Sequence, residues 1–192
     1  MRYYLLYMSA VFIWLLFLIA PTYFAIAGQR NVADALYASH VPFCHQMPER
    51  SLCIFSKGGS YWVGDCVPKN AEVQYSGLNQ YSNRYHVILS NGAIGYEFGE
   101  DARNTAIYFG LLFGGLLFPL TRNASSDKLP RLRWLLLALI PIALDGTTQL
   151  AGLRESTNIL RILTGGITGI ALSFYLIPLF NDLGPKLFGK EK

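Results

Sequence analysis

From Tyr3 to Gly28 the chain carries no charged side chain. A run of that length exceeds the roughly 20 apolar residues that a spanning helix needs. Hydrocarbon offers no hydrogen bonds to a peptide group, so such a segment must satisfy its own backbone, as a helix does. A cleaved leader is the rival reading, because Arg2 supplies a short basic start. Its apolar stretch would then have to be about 7 to 15 residues long, and this run is longer. The expectation is an uncleaved helix over about 3–28, with Pro21, Thr22 and Tyr23 marking its approach to an interface.

Three further apolar stretches follow, at about 104–121, 132–152 and 158–180. Hydrophobic residues make up 52% of the 192 and charged residues 15%, too apolar a balance for an ordinary water-soluble domain. The expected fold is therefore all-α: a four-helix polytopic membrane bundle forming a single membrane domain over 1–192. Gly110 and Gly114 make a G-x-x-x-G pair suited to close helix packing. The short connection through Arg154 and Glu155 predicts that the third and fourth helices form an antiparallel hairpin, with Ser156 or Thr157 as N-cap.

Between the first two helices the composition changes. Asn31 to Gln46 has helical spacing and stops near Pro42, which suits a short interfacial helix. Residues 47–102 are rich in Gly, Ser, Asn and Tyr, and read as a small β-containing insertion. A hairpin is expected near 85–98 around Asn91-Gly92, with a further strand from Glu72 to Tyr75.

Basic residues orient the chain. Arg122, Lys128, Arg131 and Arg133 crowd one loop, and Lys186, Lys190 and Lys192 the tail, so both read as cytoplasmic. Four spans then put both termini in the cytoplasm of a multi-pass cell-membrane protein and the insertion outside. The net charge of +4 is explained by this topology, and nucleic acid is not expected as a partner. Cys44, Cys53 and Cys66 all fall on the outer side. An oxidising compartment favours a disulfide between Cys53 and Cys66. The alternative at Cys44 and His45 is metal ligation or nucleophilic chemistry.

The segment from Asp145 to Gly169 holds the densest group of polar residues beside apolar sequence: Asp145, Gln149, Arg154, Glu155, Asn158 and Arg161. Charges at the edge of hydrocarbon are expensive unless paired or lining a wet cavity, so they mark a candidate site. Asp145 and Gln149 share one helix face, and so do Arg161, Gly165 and Gly169. The expectation is an Asp145–Arg161 charge pair. In the topology above these residues share the outer end with Cys44, His45, Gln46, Glu49 and Arg50.

Two function classes follow. In one, a membrane-embedded enzyme or binding protein works at the extracytoplasmic face. Asp145, Glu155 and His45 are then the candidate acids and bases, while Gln149, Arg154, Asn158, Arg161, Gln46, Glu49 and Arg50 hold a lipid or small-molecule ligand. In the other, the chain is a non-catalytic accessory or assembly subunit that binds a membrane-protein partner or another copy of itself. The polar groups then serve only the fold, with Asp145 pinning the helix hairpin. Enzyme activity is left open between the two. No nucleotide-phosphate loop, dinucleotide fingerprint or zincin motif is present, and beyond a metal at Cys44 and His45 no cofactor is implied.

Three strings carry a resemblance: FCHQMPERS at Phe43 to Ser51, GYEFGEDARNTAIYFG at Gly95 to Gly110, and DGTTQLAGLRESTNILRILTGG at Asp145 to Gly166. Together they resemble a family of predicted prokaryotic membrane proteins of unknown function, the one numbered two thousand and eighty-five. The resemblance implies a membrane bundle and brings no activity with it. Where that family has a Cys-x-Arg-Cys pair ahead of the second helix, this chain has Asp101, Arg103 and Asn104.

Overall fold

The computed structural model describes residues 1–44, 47–69, 72–76 and 86–189. Its helices are α1 (Arg2–Ile26), α2 (Arg30–His40), α3 (Ala102–Thr121), α4 (Leu132–Leu150) and α5 (Asn158–Phe188), and its strands β1 (Leu52–Lys57), β2 (Ser60–Asp65), β3 (Val73–Ser76), β4 (His86–Leu89) and β5 (Ile94–Glu97). The chain divides into two compact units, residues 1–15 with 106–192 and residues 16–105.

The four-helix all-α bundle expected from the apolar runs is not what forms. Among the described residues there are five helices and a five-stranded antiparallel sheet, and three helices, α1, α3 and α5, are long and apolar enough to cross a membrane. The helix that drops out is α4. Its apolar core runs only from Trp134 to Leu144 before Asp145 interrupts it, about 16 Å at 1.5 Å per residue, against the roughly 30 Å of a bilayer's hydrocarbon.

In the first unit the helices meet through residues that lack bulk. A methyl group added at Gly169 on α5 would lie 2.1 Å from the Ile107 carbonyl oxygen of α3, and one added at Gly110 would lie 2.6 Å from the Gly166 carbonyl. At Gly114 it would lie 2.0 Å from the Ser173 hydroxyl. Contacts rising together along both helices make α3 and α5 parallel. Lipid tails are as apolar as leucine, so helices in a bilayer gain little by hiding apolar surface from it and associate through such close packing. α1 runs against α3, with Tyr4 donating to the Gly115 carbonyl and Tyr7 to that of Leu111, each at 3.1 Å. α4 runs against α5, because the Tyr175 hydroxyl reaches the Arg131 carbonyl at 3.0 Å while Ser156 reaches Asp145. Phe12, Ile13, Phe113, Leu116, Leu136, Leu137 and Ile140 remain exposed. So much outward apolar surface calls for lipid around it.

The second unit carries the sheet, ordered β2-β1-β5-β4-β3. Gly58 and Gly59, at φ 57° and 83°, let β1 turn into β2, since both central positions of such a two-residue hairpin need the left-handed region. Gly92, at φ 82°, serves the turn from β4 to β5. The first residue of the hairpin expected near 85–98, Tyr85, lies outside the described residues. Cys53, Phe55, Cys66, Val87 and Ala93 form the core. Phe55 faces Gly95 across the β1–β5 pairing, and a methyl group at Gly95 would lie 2.5 Å from its ring. Cys53 and Cys66 are joined in a disulfide that ties β1 to the chain just beyond β2. α2 buries Ala33, Tyr37 and His40, spaced at i, i+4 and i+7 along one stripe.

The α3–α5 contact makes a paired prediction. Gly169→Ala should destabilise the protein by about 1 to 3 kcal/mol, the range for overpacking a closed contact. Gly166→Ala, whose new methyl would meet nothing within 4 Å, should be neutral or slightly stabilising. Thermal unfolding of the two variants in detergent checks the contrast.

Candidate functional site

Asp145 ends the apolar part of α4 and is 1% exposed. A carboxylate so buried needs donors on both oxygens, and it has them. Arg154 Nη2 donates to Oδ1 at 2.8 Å, and the Ser156 hydroxyl to Oδ2 at 2.9 Å. The chain returns to Asp145 because α4 stops one turn later. Gly152, at φ 68°, takes the left-handed conformation that closes the helix, and its N–H donates to the Gln149 carbonyl at 3.1 Å. The Thr147 and Thr148 hydroxyls donate back to the Ala143 and Leu144 carbonyls, so both are spent on the helix itself.

α5 begins directly after this centre. The Thr157 hydroxyl caps it, accepting from the Leu160 N–H at 3.3 Å. One turn in, buried Arg161, the partner expected for Asp145, donates to Asn158 Oδ1 at 2.9 Å. Arg154 differs from Arg161 in that its side chain is 42% exposed although its Nη2 is held by Asp145. Glu155 is exposed beside it, and Gln149 is partly buried one turn of α4 beyond Asp145. The centre thus offers a fixed, accessible guanidinium and the N-terminus of a long helix, both complementary to an anion. Both Asp145 oxygens are engaged, by Arg154 and by Ser156.

The other expected site residues belong to the second unit. The Cys44 sulfur accepts the Asp101 N–H at 3.4 Å, and Glu49 accepts the Tyr75 hydroxyl at 3.2 Å. Arg50 is exposed on the turn Pro48–Arg50. His45 and Gln46 lie outside the described residues. Among those described, no three His, Cys, Asp or Glu side chains gather as they would around a metal ion.

A second group of buried polar side chains, not among the residues expected from sequence, lies in this unit: His40, Glu97 and Glu100, each 0% exposed. The Glu97 carbonyl accepts the Thr22 hydroxyl at 2.6 Å and also the Tyr37 hydroxyl, while neither carboxyl oxygen has a hydrogen-bond partner among the described residues. Burial pushes the Glu97 carboxyl up to about 8, and the charges of Glu49 and Asp101 push the same way. The Ser51 hydroxyl opposes them, although its own proton goes to the Met47 carbonyl at 2.9 Å. His40 stacks on Phe17 with ring centroids 4.2 Å apart, and its Nδ1 lies 2.9 Å from the Leu36 carbonyl. Burial holds its imidazole below the usual range. One signal for Glu97 was present in the sequence. Strand alternation through Ile94, Gly95, Tyr96 and Glu97 puts Glu97 on the same side as Gly95, the side that faces Phe55.

Comparison with known proteins adds kinship. The family described as predicted membrane protein, DUF2085, matches residues 93–175. An uncharacterised protein of the archaeon Methanocaldococcus jannaschii is 32% identical over 192 residues, spanning 97% of this chain and 98% of that protein. Another, from Methanothermobacter thermautotrophicus, is 39% identical over 82 residues, 41% of this chain and 69% of its own length. No solved structure matches.

The geometry around Asp145 makes its own prediction. Arg154→Ala should destabilise the protein by about 1 to 3 kcal/mol, less than the loss expected for a fully buried pair because the guanidinium is 42% exposed. Ser156→Ala should cost about as much, by leaving a buried carboxylate oxygen short of a donor. Denaturant unfolding in detergent checks both. Added salt should shrink the Arg154 effect more than the Ser156 effect.

Proposed function

Because this chain belongs to the DUF2085 family of predicted membrane proteins, we propose that it is a multi-pass membrane protein which binds an anionic ligand at its extracytoplasmic face. The observation that carries this reading is the state of Arg154. A guanidinium clamped by buried Asp145 and still 42% exposed is oriented before any ligand arrives, and little side-chain entropy is left to lose on binding. The start of α5 adds its dipole.

The direction of the face rests on charge. Arg122, Lys128 and Arg131 lie between α3 and α4, and Asn181 of α5 donates to the Ala124 and Ser126 carbonyls of that segment, each at 2.9 Å. The Asp145 centre lies at the N-terminus of α5, the opposite end of that long apolar helix from Asn181. A basic connection facing the cytoplasm therefore turns Arg154 outward. At that depth the anionic group within reach is a lipid headgroup or a small acid arriving from outside. Binding suits the centre better than proton transfer does, since Asp145 is committed to Arg154 and Ser156.

One observation favours the accessory-subunit reading instead. β2 is an edge strand and exposes Tyr61, Trp62 and Val63 in succession, a surface suited to a protein partner.

Purified protein in nanodiscs of anionic and of zwitterionic phospholipid separates the readings. Native mass spectrometry should find anionic lipid retained by the wild type, with retention at least tenfold weaker in Arg154→Gln and unchanged in Arg131→Gln. Equal retention by all three proteins would remove the support for the ligand site.

A further inference from the structure

The strand β5 ends inside the second unit in a way that the anion-binding reading does not use. Glu97 is 0% exposed. Its neighbours come from several elements. Thr22 of α1 and Tyr37 of α2 both donate to its backbone carbonyl. Cys53 of β1 is its partner across the sheet and is held in the disulfide. Ser51 precedes β1. The charged groups that act on it are carboxylates, Glu49 on the turn before β1 and Asp101 just ahead of α3. The Ser51 hydroxyl opposes them, and neither carboxyl oxygen has a hydrogen-bond partner of good geometry among the described residues. An ionised carboxylate stripped of water and facing like charge, with the Ser51 hydroxyl committed to the Met47 carbonyl, is too costly to persist, and such a group keeps its proton instead.

We propose that Glu97 is a proton-binding site: the fold holds its carboxyl as the neutral acid, and loss of that proton releases the end of β5 from α1 and α2. The ligand is the proton. A carboxylate formed in this place has to be hydrated, and the nearest way for water to reach it is for residues 97–99 to move. That motion breaks the bonds from Thr22 and Tyr37 to the Glu97 carbonyl, and with them the Gly99 N–H bond to the Leu18 carbonyl at 3.2 Å.

The sign of the effect follows from linkage. The folded-state value is about 8 against 4.5 for the ordinary group, so between these values the folded protein binds the extra proton. Stability is full below about 4.5 and falls as pH rises towards 8, by up to tenfold in the folding equilibrium per pH unit. The histidines act in a different window. Burial lowers His86 to about 4 and lowers His40 as well, so each depresses stability only as pH falls below the ordinary imidazole value of about 6.5. Above that value the contribution of Glu97 is read as the difference in slope between wild type and a Glu97 variant, which shares every other titrating group.

Infrared difference spectra of the full chain in detergent, titrated from about pH 6 to 9, test this directly. The expected result is a protonated-carboxyl C=O band that persists at pH 6, vanishes as pH passes about 8, is missing from Glu97→Gln and is kept in Glu100→Gln. If wild-type protein shows no carboxyl titrating in that range, the proposal is overturned whether or not either variant folds. It is equally overturned if the band survives Glu97→Gln. Hydrogen exchange at Phe98 and Gly99 tests the release. Corrected for intrinsic rates, their protection should fall up to tenfold per pH unit in wild type and stay level in Glu97→Gln, and level protection in wild type would contradict it.

Discussion

Much of the first unit depends on how closely α3 and α5 approach. Gly110, Gly114 and Gly169 bring backbone against backbone, and a methyl group at Gly169 would lie 2.1 Å from a carbonyl oxygen. In hydrocarbon no solvent drives the helices together, so packing at this distance has to supply the attraction. The contact fixes α5 alongside α3 and, through α5, positions the helix that lies against it. The Tyr175 hydroxyl contact to Arg131 and the Ser156 contact to Asp145 then set where each end of α4 falls. The polar centre at Asp145 sits where it does because α4 is too short to continue and the chain has to turn back there.

The two polar centres handle burial by different chemistry. Asp145 stays charged in a 1% exposed position because a cation and a hydroxyl reach its two oxygens. Glu97 has no such pair of donors of good geometry among the described residues, and in the proposal above a proton takes the place of a partner. In one centre the charge is retained and its arginine is presented outward. In the other the charge is suppressed and the backbone around it is locked. Pairing and protonation are the two ways a carboxyl tolerates burial.

The apolar runs were legible as α1, α3 and α5 because a long uncharged stretch has few other fates. α4 misled for a physical reason. The stretch from Leu132 to Gly152 looks continuous, yet Asp145 cuts its apolar core to about half the hydrocarbon thickness. The hairpin of β1 and β2 was missed although Gly58-Gly59 signalled its turn, since two glycines in a polar, glycine-rich segment also read as an unstructured loop. The polar crowding around Asp145 was visible, but its bond to Ser156 was not, because it depends on where Gly152 ends the helix. Glu97 was hidden by distance along the chain. Its burial arises when β5 pairs with β1, and Cys53 faces it only in that register. Alternation within β5 shows which side Glu97 is on, and nothing local shows that side to be the core.

The central claim, an outward-facing ligand site at Arg154, depends most on which end of α5 faces the outside. A cysteine placed at exposed Leu153 and another placed at Ser126, each in a Cys44→Ser background that leaves the Cys53–Cys66 disulfide intact, answer the question in intact cells. A membrane-impermeant thiol reagent should label the cysteine at 153 and leave the one at 126 untouched until the cells are opened. Labelling of position 126 with protection of position 153 would turn the site to the cytoplasm and contradict the account.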